Sequence, residues 1–467
     1  MRWPEPPAPA PMSRVALVAP VAAVRPVLVG VAGAGTVQLD RPAPEAPPGE
    51  AARRLQRLGA AADRTPRVAA VRPDLDLLAA EGRGDLLAGE AELEEREAGA
   101  VRRGAVSAVA GWIPQADLPD LAARLVGVGG AVVQLPSPPG VDPPTLVRHS
   151  GAARSFEPLV GTYATVPYRD VDPTIAAGVA YVVMFGMMFG DAGHGLLLLL
   201  GGLALRAGWP RRFGRLRQHW QLVVGAGVAA TLFGLAYGEF FGPTGVVPAL
   251  WLDPLDEPTT LLAAAVGLGA LLLAGAYGVG IVNRLREGGW SQALYASGGI
   301  AGATLFLGAG LVVAGWYAGR GWLAVAGGTV TIIGLILAFI GLYAGSGGGG
   351  AGTGQAVVEL VDTVTRLGGN VVSFSRLAAF GITHAAIAGL VWTGAVALWG
   401  KGPIGAAGAV VLFAVGTALA FGLEALVAAI QALRLEYYEL FSRVFATEGR
   451  PFHPWRLPVV PAEEVPR

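Results

Sequence analysis

Ionisable side chains interrupt the long apolar stretches of this chain at only a few places, and chemistry is expected there. They are Asp191, Asp362, Arg376, His384 and Glu424, with Gln431 and Arg434 following Glu424 on one predicted helix. A charged group in a spanning helix costs about 2.5–3.5 kcal/mol on insertion scales, so each is a candidate for binding or moving an ion. Arg376 has apolar neighbours and no carboxylate three or four positions away. Its guanidinium stays charged at any relevant pH. The partner must come from another helix or another chain, and an internal salt bridge to Glu424 is the structural alternative. At about 100° per residue, Glu424 and Gln431 fall within about 20° of each other, and Arg434 lies about 60° further round. Such a polar stripe on an apolar helix is what a hydrated half-channel needs. His384 can take up and release a proton near neutral pH, and a hydrogen-bonded packing role reads equally well. Asp362 and Arg366 stand at i, i+4 spacing and suit a local salt bridge at a channel mouth. Glu239 lies near a helix end, where exposure at the interface is expected.

The elements that must hold these residues are membrane helices. The chain has 467 residues, 53% hydrophobic and only 15% charged, with a mean hydropathy of +0.53. A soluble protein carries about 25% charge, so a simple soluble enzyme is excluded. With no cysteine there are no disulfides or thiolate metal sites, and a net charge of zero gives no basic field for nucleic acid. Lys401 is the only lysine and no Gly-Lys-Ser/Thr surrounds it, which excludes a phosphate-binding loop of that type. Apolar runs at 171–206, 218–241, 259–283, 292–318, 321–344, 354–399 and 402–434 are each long enough to cross a bilayer.

Arginines in short loops set the expected topology. The 206–217 loop, with Arg206, Arg211, Arg212, Arg215 and Arg217, marks the inside, as do Arg284 and Arg286 in the next inward loop. The 242–258 loop, acidic and without a basic residue, lies outside. The run 171–206 then starts and ends on one side, so it must split into two short helices at the glycine-rich segment around Asp191. Eight crossings follow. The glycine run 345–353 reads as a flexible inter-helix linker.

Residues 1–12 read as a disordered leader, with five prolines and no signal-peptide core. Arg14–Pro20, Ala22–Gly35 and Thr36–Asp40 suit a strand–helix–strand unit, and the pattern returns at 105–114, 117–128 and 131–135. Between them, residues 50–103 suit a helical arm that Pro73-Asp-Leu-Asp76 can turn back into a hairpin, a solvated spacer being the alternative. The expected organisation is an N-terminal cytoplasmic α/β domain over 13–170 (α/β units 13–40 and 104–150), a transmembrane domain over 171–447 and a cytoplasmic tail over 448–467. The fold class is an α-helical polytopic membrane protein with an α/β domain carrying a short helical arm.

Four segments resemble the membrane a-subunit of the vacuolar/archaeal-type rotary ATPase, called subunit I in prokaryotes. They are Tyr168-Arg-Asp-Val-Asp-Pro-Thr174, the glycine motif 185–195, the segment 373–386 with Arg376 and His384 eight apart, and Glu424 through Phe441 with Gly449–Phe452. The resemblance implies a static, multi-pass cell-membrane subunit that does not itself hydrolyse nucleotide. It faces a proteolipid c-ring whose carboxylates Arg376 keeps ionised, with Arg434 as the supporting second arginine. Glu424, Gln431, His384 and Asp191 would line one half-channel, with Asp362 a candidate for the other. The implied partners are the c-ring, peripheral stalk subunits, the central-stalk-cap subunit, membrane lipid and, indirectly, soluble nucleotide-binding subunits. No cofactor, metal or nucleic acid is implied. The short segment between the two α/β units, Ser375 before the arginine and Glu436 after Leu435 depart from the family pattern. A secondary transporter binding substrate at Asp191, Arg376 and Glu424 is the competing reading, and a non-conducting assembly paralogue is a third.

Overall fold

A computed structural model describes residues 9–40, 47–58, 63–149, 151–445 and 447–466. Most of the expected leader, residues 1–8, lies outside them. The chain divides into two units, Ala8–Arg148 with Gly449–Arg467, and His149–Glu448.

The first unit is built on an antiparallel sheet. Strand β1 (Met12–Pro20) leads into helix α1 (Val24–Ala34), which ends where Gly35 adopts φ 60° and returns its N–H to the Val31 carbonyl. After β2 (Gln38–Leu39) come the short helices α2 (Glu50–Arg57), α3 (Leu75–Ala80) and α4 (Gly84–Ala98), with β3 (Val68–Ala69) between the first two. Strands β4 (Val101–Arg103) and β5 (Val106–Pro114), helix α5 (Leu118–Val126) and β6 (Ala131–Leu135) complete the repeat. The sheet order is β2-β5-β1-β6, with β4 also on β5. The strands and helices expected at 14–40 and 105–135 are thus present, paired along β1–β5 from Met12↔Pro114 to Pro20↔Val106.

Residues 50–103 are helical and fold back on themselves, but in short pieces and not as a continuous arm. Pro66 and Pro73 interrupt the helical pattern, and the pieces fold back onto a small core of Leu78, Leu86 and Leu87. The expected separate tail differs as well. Its strand β7 (Val459–Val460) pairs in parallel with β3, and Trp455 and Leu457 enter the core of the sheet unit.

The second unit is helical. After α6 (Ala152–Tyr163) come two short apolar helices, α7 (Thr174–Met188) and α8 (Ala192–Arg206), broken at Phe189–Asp191 as the glycines suggest. Then follow α9 (Trp220–Tyr237), α10 (Pro258–Tyr295), α11 (Ile300–Tyr317), α12 (Gly321–Gly345), α13 (Gly349–Ser373), α14 (Ser375–Trp399) and α15 (Gly402–Leu435). A π turn over Glu436–Phe441 and α16 (Ser442–Val444) continue α15. Among the described residues, six helical stretches are long and apolar enough to cross a membrane, one of them spanning α13 and α14 together.

Two expected loops are helical. Arg284 and Arg286 lie within α10, because no breaker occurs before Gly289, whose φ of 72° interrupts the helix. Arg284 also pairs with Glu287 one turn on. The glycine run is a linker only to Gly348, since α13 starts at Gly349.

Glycine at two positions lets α8 and α9 meet backbone to backbone. A Cβ on Gly234 would stand 2.1 Å from the Ala192 amide nitrogen, and one on Gly195 would stand 2.4 Å from that of Thr231. This is the small-residue contact that membrane helices use in place of a hydrophobic drive.

Ahead of α7, the Val171 amide donates to Asn283 on α10, whose own amide donates to the Val444 carbonyl. Beside them Asp170 is fully buried. Burial first, then the facing Glu287 carboxylate, push the Asp170 carboxyl from 3.8 up to about 7, against the opposing pull of Arg284 and Arg286. The folded chain therefore binds this proton more tightly than the unfolded chain. Stability should fall as pH rises between about 4 and about 7 and level off above. Asp170→Asn is expected to remove that slope, unfolding at a higher temperature than wild type at about pH 8 and at a similar one at about pH 4.5. Identical slopes for the two proteins in detergent would refute the assignment.

Candidate functional site

The break between α7 and α8 creates the site. Asp191 caps α8, its Oδ1 accepting the His194 backbone N–H at 2.8 Å. The same carboxylate also accepts the N–H groups of Phe241 (3.0 Å) and Gly242 (2.6 Å), which fixes the loop after α9. Because α9 returns antiparallel to α8, its end lies beside the start of α8, and the Ala192 N–H donates to the Glu239 carbonyl at 2.9 Å. That brings the Glu239 side chain into the cluster. The expectation of interfacial exposure for Glu239 is therefore corrected, since it is 3% exposed.

His384 on α14 completes the group. Its Nδ1 pairs with Glu424 of α15, and its Nε2 stands 3.9 Å from Asp191 Oδ2 and 3.8 Å from Glu239 Oε2. His194 Nδ1 is 3.7 Å from Asp191 Oδ1. Aromatic rings wall the cluster: Phe189 lies 4.9 Å from the His384 ring and 5.6 Å from the His194 ring, and Phe241 meets His194 edge-on. Asp191, His194 and His384 are buried, while the Glu424 side chain is 17% exposed at the rim.

Arg376 belongs to a different level. Eight residues before His384 on α14, it lies about 12 Å along the helix. Its Nε donates to the Ser373 carbonyl at 3.1 Å, and its carboxylate partner is Glu439, at 3.4 Å, in the π turn. The expected alternative of a bridge to Glu424 is thus corrected: Glu424 is held by His384. A quarter of the Arg376 side chain remains exposed. Arg434 is the second positive charge that Arg376 feels. Gln431 lies between the two levels on α15, its Oε1 buried and without a hydrogen-bond partner among the described residues. Asp362 stands apart from the cluster, exposed and paired to Arg366 at 2.7 Å on α13.

Sequence reasoning left out His194 and Glu439 and misplaced Glu239. For Glu239 the signal was available, since two consecutive antiparallel helices of similar length must place 191 and 239 at the same end.

Residues 101–225, from β4 through the glycine motif into α9, match the V-type ATPase 116kDa subunit family. The chain is 26% identical over 357 residues to "A-type ATP synthase subunit I" of Pyrococcus horikoshii, covering 74% of this chain and 53% of that protein. With the protein of the same name from Methanocaldococcus jannaschii it shares 27% over 388 residues, covering 74% and 54%. A Treponema pallidum "V-type ATP synthase subunit I 2" is 33% identical over 168 residues, 34% of this chain and 36% of that protein. The chain is a relative of subunit I of the A- and V-type ATP synthases. It spans about half the length of these two archaeal subunit I proteins. The subunit I family match ends at residue 225, so it includes Asp191 and His194 but neither Arg376 nor Glu424.

Proposed function

We propose that this chain is the static membrane subunit of a rotary ATPase or ATP synthase. It would pass protons, or sodium ions, through two offset half-channels to and from the carboxylates of a rotating proteolipid ring. The observation that carries this reading is the two-level arrangement on the α14–α15 hairpin. A buried set of proton-holding groups surrounds His384 and Glu424, and a partly exposed guanidinium stands about 12 Å further along α14.

The chemistry follows from the geometry. A proton shared by Asp191 and Glu239 reaches His384 at Nε2. The imidazolium so formed releases its Nδ1 proton to Glu424 and becomes neutral with its proton on Nε2, and the Nδ1–H tautomer must be restored before the next passage. Glu424, at the rim, delivers to a ring carboxylate, with Gln431 and Arg434 continuing the stripe on α15. Arg376 holds the passing carboxylate ionised and closes the direct route between half-channels. Glu439 keeps Arg376 paired between passages. The second half-channel lies on the side of Asp362, whose exposed pair with Arg366 suits its mouth.

Connectivity supports an even number of crossings, because β3 and β7 pair and so put both ends of the helical unit on one side of the membrane. Six long stretches with α7 and α8 make eight, and the arginines of 206–217 make that side cytoplasmic. The sheet unit then faces the peripheral stalks and the central-stalk cap, and nucleotide chemistry belongs to soluble subunits beyond them.

A secondary transporter is the second reading, favoured by the broken α7–α8 pair with Asp191 at the start of a half-helix. Mass spectrometry of what copurifies from mild-detergent membranes separates the two. A small proteolipid together with nucleotide-binding subunits is the expected result. Purification of the chain by itself would refute the stator.

A further inference from the structure

The cluster at the start of α8 holds more donor atoms than its hydrogen bonds use. Neither ring nitrogen of His194, 1% exposed, has a hydrogen-bond partner among the described residues. The same holds for His384 Nε2 and Glu239 Oε2. A buried polar atom left unpaired costs about 1–3 kcal/mol, so several in one place call for a shared occupant.

The spacings say what kind. The separations of 3.7, 3.9 and 3.8 Å among Asp191, His194, His384 and Glu239 are too long for hydrogen bonds. Ligand atoms about 2.0–2.2 Å from a tetrahedral zinc ion stand about 3.3–3.6 Å from one another. One donor atom each from Asp191, His194 and His384 lies within 4.8 Å of the others, so these three side chains have to draw in to meet such an ion.

We propose that Asp191, His194 and His384 form a binding site for a divalent ion of the zinc class, with Glu239, 3.8 Å from His384 Nε2, swinging in as the fourth ligand. Two imidazoles with carboxylates select zinc and its neighbours over magnesium and calcium, which prefer all-oxygen shells. Two carboxylates balance the charge of the ion. The supporting contacts are already made: Glu424 holds His384 by Nδ1 and leaves Nε2 for the metal, and three backbone N–H groups orient Asp191. This departs from the expectation that the chain takes no metal. If the half-channel reading holds, an ion bound to Nε2 stops the relay through His384, so zinc acts as a plug.

The test uses the full chain in detergent, stripped with a chelator and titrated with zinc chloride, with magnesium chloride as control. One zinc per chain is expected. Cobalt chloride should give the intense visible absorption of a tetrahedral ion, and His194→Gln should weaken zinc binding at least about tenfold. No uptake above the magnesium control, a faint octahedral cobalt spectrum, or equal uptake by His194→Gln would each overturn the site and leave water as its occupant. The cobalt spectrum is read on the unaltered chain, so misfolding of the variant cannot hide the answer. Binding needs neither ring nor ATP, so a failure here leaves the half-channel reading standing.

Discussion

Arg376→Ala is expected to abolish ATP-driven ion uptake in vesicles carrying the complete complex, with the complex still assembled. The geometry separates function from folding at this position. The side chain makes one carbonyl contact and one ion pair at 3.4 Å. Removing a guanidinium from a spanning helix relieves an insertion cost of about 2.5–3.5 kcal/mol. The variant should therefore still insert, the relieved insertion cost offsetting the loss of the cation beside the buried Glu439. What it loses is a permanent charge at the place where a ring carboxylate must give up its proton. Arg376→Lys restores the charge without the fork that reaches Ser373 and Glu439 together, so it should recover little transport. Uptake by fluorescence quenching, measured beside ATP hydrolysis and native electrophoresis, decides the matter. Unchanged uptake by Arg376→Ala would end the stator reading.

His384→Gln should slow uptake by about 10²-fold, the usual scale for losing a positioned proton-transfer group. Glutamine can still bond Glu424 and keep α14 against α15, but it cannot accept a proton on one side and release one on the other. A structural strut and a proton relay thus give different results. Full uptake by His384→Gln would make the histidine a strut and move the path elsewhere. The initial rate of uptake at saturating ATP is the quantity to compare.

Much of the architecture was legible from local rules. Apolar runs gave the helices, the glycines at 186–195 gave the break before α8, and alternation with turn residues gave β1, β5 and β6. The residues of the site were legible as types out of place in lipid. Their partnerships were not. Arg376 pairs with Glu439 rather than Glu424 because it lies about 12 Å along α14 from His384, which holds Glu424. Glu439 itself sits in a π turn that nothing in the local sequence announces. Glu239 was misjudged because hydropathy measures distance along the chain, whereas its burial comes from the loop that Asp191 ties down. The compact lobe at 50–103 depends on β7, hundreds of residues away in sequence and beyond the reach of any local pattern.

The pairing of β3 with β7 also sets an order of events during synthesis. The first unit begins to fold as soon as it leaves the ribosome, yet its core lacks Trp455, Leu457 and Val460 until every membrane helix has been made. Burying three such side chains contributes several kcal/mol, at about 1.5–3 kcal/mol for each large one. That unit therefore lacks part of its core until the segment after the helices returns to it. A chain cut before Gly449 would leave β3 unpaired and the first unit without Trp455, Leu457 and Val460.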